Sequence, residues 1–281
     1  MSRNAERTDP VMIMVAPNGA RRLKADHPAL PITADEIAAE AVRCRDAGAS
    51  VIHMHVRGDD GTHVLDAARY LGATEAVEAA TGGDMVVQIT TEAVGIYAPD
   101  EQMSVVREVM PVSVSVALRE LIPDERSYLV ARSFFVWMQA NRIAPQFILY
   151  DAGDVERFFA LQAADVIPFT YPFLLFALGR YAADQQSSPT DLEPFLDALG
   201  GRDVPWAICA FGKQELACAE AAMRAGGHVR IGFENNLHMP DGEVAGTNAD
   251  LIAVTAERAR DLGFDIMTAK QARMFTAETL V

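Results

Sequence analysis

Apolar positions along the 281-residue chain fall into two alternating kinds of pattern. Short runs that are apolar throughout, or apolar at every second residue, lie at 11–17, 50–56, 84–90, 112–118, 145–150, 169–178, 205–211 and 228–233. Their length and alternation predict eight strands. Between them, helical spacing predicts helices at 33–48, 66–80, 100–109, 126–142, 154–164, 190–199, 213–225 and 247–262. The first is the clearest. Thr33 with Glu36 three residues later forms a capping-box signature, Ile37, Ala41 and Cys44 mark an inner stripe, and Gly48 is a natural stop.

Strands that alternate with helices imply right-handed crossovers and a parallel sheet. Eight such units in this length predict an α/β fold, a closed (β/α)8 TIM barrel, as one domain over residues 1–281. An open doubly wound sheet would carry a glycine-rich turn after its first strand, and APNGARR (16–22) does not match GxGxxG. The most loop-like stretch, 180–193, reads as a surface insertion.

The alternation also sorts side chains onto two faces. In VIHMHVR (51–57), Ile52, Met54 and Val56 point one way, and Val51, His53, His55 and Arg57 the other. The same split sets Val87 and Ile89 against Gln88, Thr90 and Glu92. It sets Val114 and Val116 against Ser113 and Ser115, and Val229, Ile231 and Phe233 against His228, Arg230 and Glu234. A purely structural barrel would fill its interior with branched aliphatics. Four polar faces that end in titratable or hydroxyl groups predict a polar site at the C-terminal mouth.

Composition narrows the partners. The chain is 50% hydrophobic, with a net charge of −15 and a pI of about 4.8. Such a field repels nucleic acid and anionic membrane surfaces. Cys44, Cys209 and Cys218 are too few and too scattered for a disulfide framework. The N-terminal MSRNAERTDP is polar, without a signal peptide's apolar segment, and no apolar run is long enough to span a bilayer. A cytoplasmic protein is expected.

Two histidines at i and i+2 on a strand can reach one metal ion. Glu234 ends the last strand, and closure brings strand eight near strand two, with strand one between. His53, His55 and Glu234 would then form a His2Glu set with an open position, the arrangement of catalytic zinc. Spacing alone leaves open hydrogen-bonded interior histidines or a metal-free acid/base pair. Of the others, His27 and His63 sit in expected loops. His238 follows the last strand as a solvated loop residue, and His228 begins that strand.

At this point the motifs become specific. ADHPALPIT, EAVRCRDAGASVIHMHVRGDDG, VQITTEAVG and GGHVRIGFENN, in order over nearly the whole chain, resemble the β-keto acid cleavage enzymes. The resemblance implies a TIM barrel and a zinc-dependent reaction in which a β-keto acid and acetyl-CoA, the co-substrate, give acetoacetate and a new acyl-CoA. It implies zinc ligation by His53, His55 and Glu234, with Arg230, Thr90 and Ser115 as donors to the substrate. It implies a homo-oligomer, dimer or tetramer. Arg57 is expected to support a ligand from behind.

Two departures from the family pattern matter. Asn235 stands where the family has an aspartate, its proposed base, and an amide cannot take a proton at neutral pH. Glu92, where many members have glycine, is a replacement candidate. Arg21 stands where the family's 3-keto-5-aminohexanoate-cleaving type member has a glutamate for the substrate's ammonium group. Arg21, with Asn18 and Thr91, is therefore expected to face a neutral or anionic substrate, and Arg21, Arg22 and Lys24 form a basic cluster that could take a carboxylate or CoA phosphates. Two other readings stay open: a zinc barrel lyase or hydrolase without CoA, and a catalytically impaired metal-binding barrel.

Overall fold

Eight parallel strands close on themselves in the computed structural model, which describes residues 10–182 and 184–281; residues 1–9, most of the polar N-terminal stretch, lie outside it. The strands are β1 (Ile13–Val15), β2 (Val51–Met54), β3 (Val86–Thr90), β4 (Ser113–Ala117), β5 (Ala144–Leu149), β6 (Phe173–Leu178), β7 (Trp206–Ala210) and β8 (His228–Ile231). The helices are α1 (Ala34–Ala47), α2 (Ala67–Thr81), α3 (Pro99–Val109), α4 (Leu118–Leu121), α5 (Tyr128–Ala140), α6 (Ala152–Ala163), α7 (Glu193–Leu199), α8 (Glu215–Ala225), α9 (Asn248–Asp261) and α10 (Ala269–Glu278). Each strand pairs with its neighbours in chain order, and β1 closes the ring between β2 and β8. This is the (β/α)8 TIM barrel expected from the alternation.

The two faces of each strand become two cores. Ile52, Met54, Ile89, Val114, Val116 and Phe147 pack outward under the helices. Met12, Met14, Val51, Val86, Leu175 and Ala207 fill the barrel interior. Register then lines up the interior polar residues, because partners in a parallel ladder face the same side. His53 lies beside Gln88 and Gln88 beside Ser113. One row nearer the mouth, Thr90 lies beside Ser115 and Ser115 beside Gln146.

Helix ends are fixed by the expected chemistry. Thr33 and Glu36 close a reciprocal capping box on α1, and Gly48 ends it with its N–H on the last carbonyls. One feature departs from expectation. No helix was expected after residue 262, yet α10 plugs the N-terminal end of the barrel, with Phe275 against Phe173 at 4.9 Å and His228 at 5.1 Å. Its buried stripe, Ala269 and Ala272, is too small to stand out. The capping box of Thr268 and Gln271 was the signal that could have found it.

The stretch 180–193 lies mostly exposed at the surface, as expected, but it is anchored from beneath. Gly179 turns the chain at φ +75°, and Ser187 is buried, with its N–H and hydroxyl both donating to the Phe211 carbonyl. That anchorage folds the loop across the barrel mouth. Among the described residues, no helix is long and apolar enough to cross a membrane.

Phe147 sits at the centre of an aromatic cluster, with ring centroids 5.4 Å from Phe135, 4.9 Å from Phe158 and 5.8 Å from Phe169. Phe147→Ala is expected to lower the unfolding free energy by about 3–5 kcal/mol in a denaturant titration. A loss under about 1 kcal/mol would mean that the cluster collapses into the gap and does not set the β5 position.

Candidate functional site

His53 on β2 and His55 just beyond it reach the barrel axis together. Their Nε2 atoms are 3.2 Å apart. Glu234, three residues past β8, brings Oε2 to 3.4 Å from His53 Nε2 and 3.5 Å from His55 Nε2. The edge of a tetrahedron with metal–ligand bonds of 2.0–2.1 Å is about 3.3 Å. The three donor atoms therefore stand on one face of such a tetrahedron, and they form the group here that could hold a metal ion.

Proton placement supports the fit. The Gln88 amide donates from Nε2 to Ser113 Oγ at 3.2 Å and Gln146 Oε1 at 3.3 Å. Its Oε1 therefore accepts from His53 Nδ1 at 2.8 Å. The proton on Nδ1 leaves a lone pair on His53 Nε2, aimed at the cluster centre. Burial, reinforced by Arg230, holds the His53 pKa well below its ordinary value, so the ring is neutral. Burial pushes Glu234 upward, but Arg230, His53 and His55 outweigh it and keep the carboxylate ionised. Glu234 Oε2 is buried without a hydrogen-bond partner. A neutral His53 imidazole, the His55 ring beside it and an unpaired carboxylate oxygen converging on one point form a donor set suited to a divalent cation.

The loops are built to hold this geometry. A Cβ on Gly19, which already has φ +59°, would lie 2.6 Å from Glu234 Cγ, so glycine lets β1's loop pass against the ligand. The β8 loop hangs on two buried side chains: Glu215 accepts from the Gly232 N–H at 3.1 Å and Asn236 Nδ2 at 3.2 Å, and Asn248 Oδ1 accepts from the Phe233 N–H at 2.8 Å. Arg57 has the supporting role expected of it. Its guanidinium donates to the carbonyls of Asn18, Gly19, Arg22 and Gly61, which staples the 18–22 loop in place.

A cavity of about 260 Å³ opens above the cluster. It brings together His53, His55, Glu234, Arg230, Thr90, Glu92, Asn18 and Arg21 from the expected set. Arg230 is buried; its Nη2 donates to Glu234 Oε1 at 3.1 Å and meets Cys209 Sγ at 3.3 Å, while Nε and Nη1 have no partner. Thr90 Oγ1 accepts from Ser115 Oγ and from the Glu92 N–H, both at 3.1 Å, so its own hydroxyl proton is free to donate. Glu92 meets Arg180 Nη2 through Oε1 at 3.3 Å, and its Oε2 is 3.9 Å from His55 Nδ1.

Other expected residues are placed differently. Asn18 borders the cavity, but its amide bonds the backbone of His55 and Pro31, so it positions β2's end. Thr91, Ser115 and Asn235 do not line the cavity. Thr91 Oγ1 donates to the Ser115 carbonyl on the opposite side of β3, and Ser115 acts only through Thr90. Asn235 is buried, with neither amide atom hydrogen-bonded. Arg21 is exposed at the rim and makes no ion pair among the described residues, and Lys24 is taken by Glu36 at 2.8 Å.

Sequence reasoning missed Gln146, His63, Glu215, Cys209 and Arg180 as site residues, and did not see what Gln88 does. Gln88 was visible as a polar residue on the interior face of β3, next to His53 in register. His63, placed in a loop, is buried with its ring 5.0 Å from His55, and it donates from Nε2 to the Glu92 carbonyl at 3.0 Å. No periodic signal marks it. Of the weaker histidines, His228 makes the ordinary bond expected, accepting from the Met12 N–H at 3.1 Å, and His238 stays outside the cavity.

A barrel that gathers two imidazoles, an ionised glutamate and a buried guanidinium at the C-terminal ends of its strands is a TIM-barrel enzyme. The chain belongs to the β-keto acid cleavage enzyme family, which it matches over residues 10–276. It is 28% identical to the 3-keto-5-aminohexanoate cleavage enzyme of Acetoanaerobium sticklandii, over 94% of this chain and 96% of that one. It is 26% identical to the 3-oxoadipate:acetyl-CoA acetyltransferase of Cupriavidus necator, over 95% and 94%. Among solved structures, the binary complex of ObcA with oxaloacetate superposes with a TM-score of 0.73 at 17% identity, over 89% of this chain and 67% of that one, a likeness of fold.

Gln88→Leu removes the acceptor that sets the His53 tautomer. Metal affinity, measured by competition with a chelator, is expected to fall about 10–100-fold; an unchanged affinity would show that Gln88 does not orient the ring. Glu215 supplies a pH dependence. Burial raises its pKa from 4.5 to about 8, so between those values the folded protein holds a proton that the unfolded chain has lost. Stability from this group is full below the unfolded value and falls as pH rises toward 8, by up to about 1.4 kcal/mol per pH unit. Urea midpoints at fixed metal concentration should decline over that window, and Glu215→Gln should flatten the decline.

Proposed function

We propose that the protein is a zinc-dependent acyltransferase that cleaves a β-keto acid with acetyl-CoA, releasing acetoacetate and the acyl-CoA of the remaining fragment. The observation that carries this reading is the His53–His55–Glu234 cluster facing a cavity beside the unpartnered donors of Arg230. Family membership supports the reaction type, and a relative named for 3-oxoadipate and acetyl-CoA supports the co-substrate.

Bond bookkeeping sets the tasks. The CH2–COO− fragment must leave its own acyl group and join the acetyl group, so C2 has to lose a proton and attack the thioester carbonyl, expelling CoA thiolate. The thiolate then adds to the original keto carbon, the bond between C2 and C3 breaks, and the electrons return to C2 as the enolate of acetoacetate, which takes the proton back. Zinc held by His53, His55 and Glu234 would supply a Lewis acid for the keto group beside the breaking bond.

The chain's own groups divide the rest. Arg230 offers its two unpartnered nitrogens, Nε and Nη1, to the substrate carboxylate, a charge-assisted contact inside a buried site. Thr90 offers its hydroxyl proton to the same end, held in orientation by Ser115 and the Glu92 N–H. Glu92 is the base at C2. It borders the cavity, Arg180 fixes its far oxygen, and His63 pins its backbone, whereas Asn235 neither borders the cavity nor can accept a proton. Arg21, free at the rim, takes a CoA phosphate.

Purified protein is expected to contain about one zinc per chain and to form acetoacetate from β-keto acids only when acetyl-CoA is present. Turnover without acyl-CoA would favour a lyase or hydrolase; zinc without turnover on any β-keto acid would favour the impaired barrel. Glu92→Gln should lower kcat by about 10²–10⁴-fold at unchanged zinc content. A gain of tenfold or more from Asn235→Asp, with Glu92→Gln silent, would move the base back to position 235.

A further inference from the structure

The two halves of the cavity differ in chemistry. Ligands and hydrogen-bond donors come from β1, β2, β3 and β8. The opposite wall, from the ends of β4 to β7, is Ala117, Ile148, Ala177, Cys209 and Phe211, with Tyr150 at its edge and Arg180 and the uncharged Gln185 reaching it from the loop after β6. Those strands contribute no carboxylate and no ammonium to the wall. Ala117, Ala177 and Cys209 are small, so space remains between them.

The charge at the mouth of this half is already satisfied. Arg180 leaves the turn at Gly179, lies over the Phe211 ring at 5.4 Å, and meets Glu92 at 3.3 Å. The loop that carries it is tied to β7 by the two Ser187 bonds to the Phe211 carbonyl. A distal carboxylate on a substrate would have to displace Glu92 from a pair that folding has preassembled. A distal ammonium would face Arg21, Arg22, Arg180 and Arg230 against Asp26, Glu92 and Glu234.

We propose that Ala117, Ile148, Ala177 and Phe211 form the acyl subsite, closed by the Arg180–Glu92 pair, and that the β-keto acid consumed carries an uncharged aliphatic side chain. This rests on the reaction proposed above. Arg180 acts there as a specificity residue, covering the subsite with a guanidinium whose charge is balanced within the protein. The acyl-CoA released is then a straight or branched aliphatic thioester, and a reaction that makes or consumes such thioesters must lie next in sequence.

Two arms of one experiment test this on the zinc-loaded full chain. In the first, acetoacetate formation with acetyl-CoA is compared for 3-oxopentanoate, 3-oxohexanoate, 3-oxoheptanoate, 3-oxoadipate and 5-amino-3-oxohexanoate. kcat/KM is expected to rise about fourfold per methylene along the neutral series and to fall at least tenfold for both charged acids. Ala177→Leu should lower the rate with 3-oxoheptanoate at least tenfold more than the rate with 3-oxopentanoate. Preference for either charged acid, or an equal loss at every chain length in Ala177→Leu, overturns the proposal.

In the second arm, calorimetry measures binding of the unreactive 3-hydroxy analogues of the same acids. The same order of affinity is expected, and a flat or charge-favouring order overturns the subsite. If nothing turns over but the neutral analogues bind in the expected order, the reaction assignment fails and the subsite stands.

Discussion

Two imidazole nitrogens and a carboxylate oxygen converge within 3.2–3.5 Å of one another in the barrel interior. His53 presents a lone pair because its proton is fixed on the side of Gln88. Glu234 presents another because its ionised state is held by Arg230. Like-signed electron density this close, shielded from water, repels strongly. A cation would resolve the conflict, and much of the surrounding architecture holds these groups in place.

That architecture is a chain of polar groups running through what would otherwise be an aliphatic core. Ser113, Gln146 and Gln88 pass hydrogen bonds across three strands to His53, and the far end of the chain is the Gln146 contact with Met14 Sδ at 3.8 Å. Each amide here costs desolvation that only full pairing offsets. The result is that the ring of His53 has one tautomer and one orientation. On the other side of the cluster, glycine at 19 and 232, the Glu215 and Asn248 side chains, and the Arg57 staple fix two loops against each other with no room for slack. A Cβ at 232, for instance, would meet the Ala16 carbonyl oxygen at 2.5 Å.

What was legible in the sequence followed from periods. Alternation located eight strands and separated His53, His55, Gln88, Thr90 and Arg230 from the outward aliphatics, because side-chain direction in a strand is a matter of parity. Closure then put Glu234 beside β2, because a ring of eight in chain order leaves β1 alone between its first and last neighbours. The illegible part came from loops and from small residues. His63 and Arg180 reach the site from segments with no period, and α10 buries only alanines along its stripe. Thr91 lies outside the cavity for the reason that Thr90 borders it: adjacent residues along a strand face opposite sides. The resemblance located position 235 but not its surroundings: its amide is buried, unpartnered and outside the cavity lining.

The departure at Asn235 makes physical sense against its neighbours. The β8 loop already carries Glu234, and beneath it Glu215, whose pKa burial has raised to about 8. Arg22 and Arg230 are the cations near both. A third acidic group at 235 would compete for the guanidiniums that hold Glu234 ionised. A neutral amide relieves that competition, and a carboxylate at 92 restores the lost acid on the opposite side of the cluster, next to His55 and paired with Arg180. Asn235 and Glu92 are in this sense one change: the negative charge moves from β8 to the end of β3. With it, Arg180 becomes committed to an internal partner, and the part of the cavity that it covers loses its means of recognising charge. On the proposed reaction, the position of the base and the character of the substrate's side chain are thus set by the same ion pair, Arg180 with Glu92.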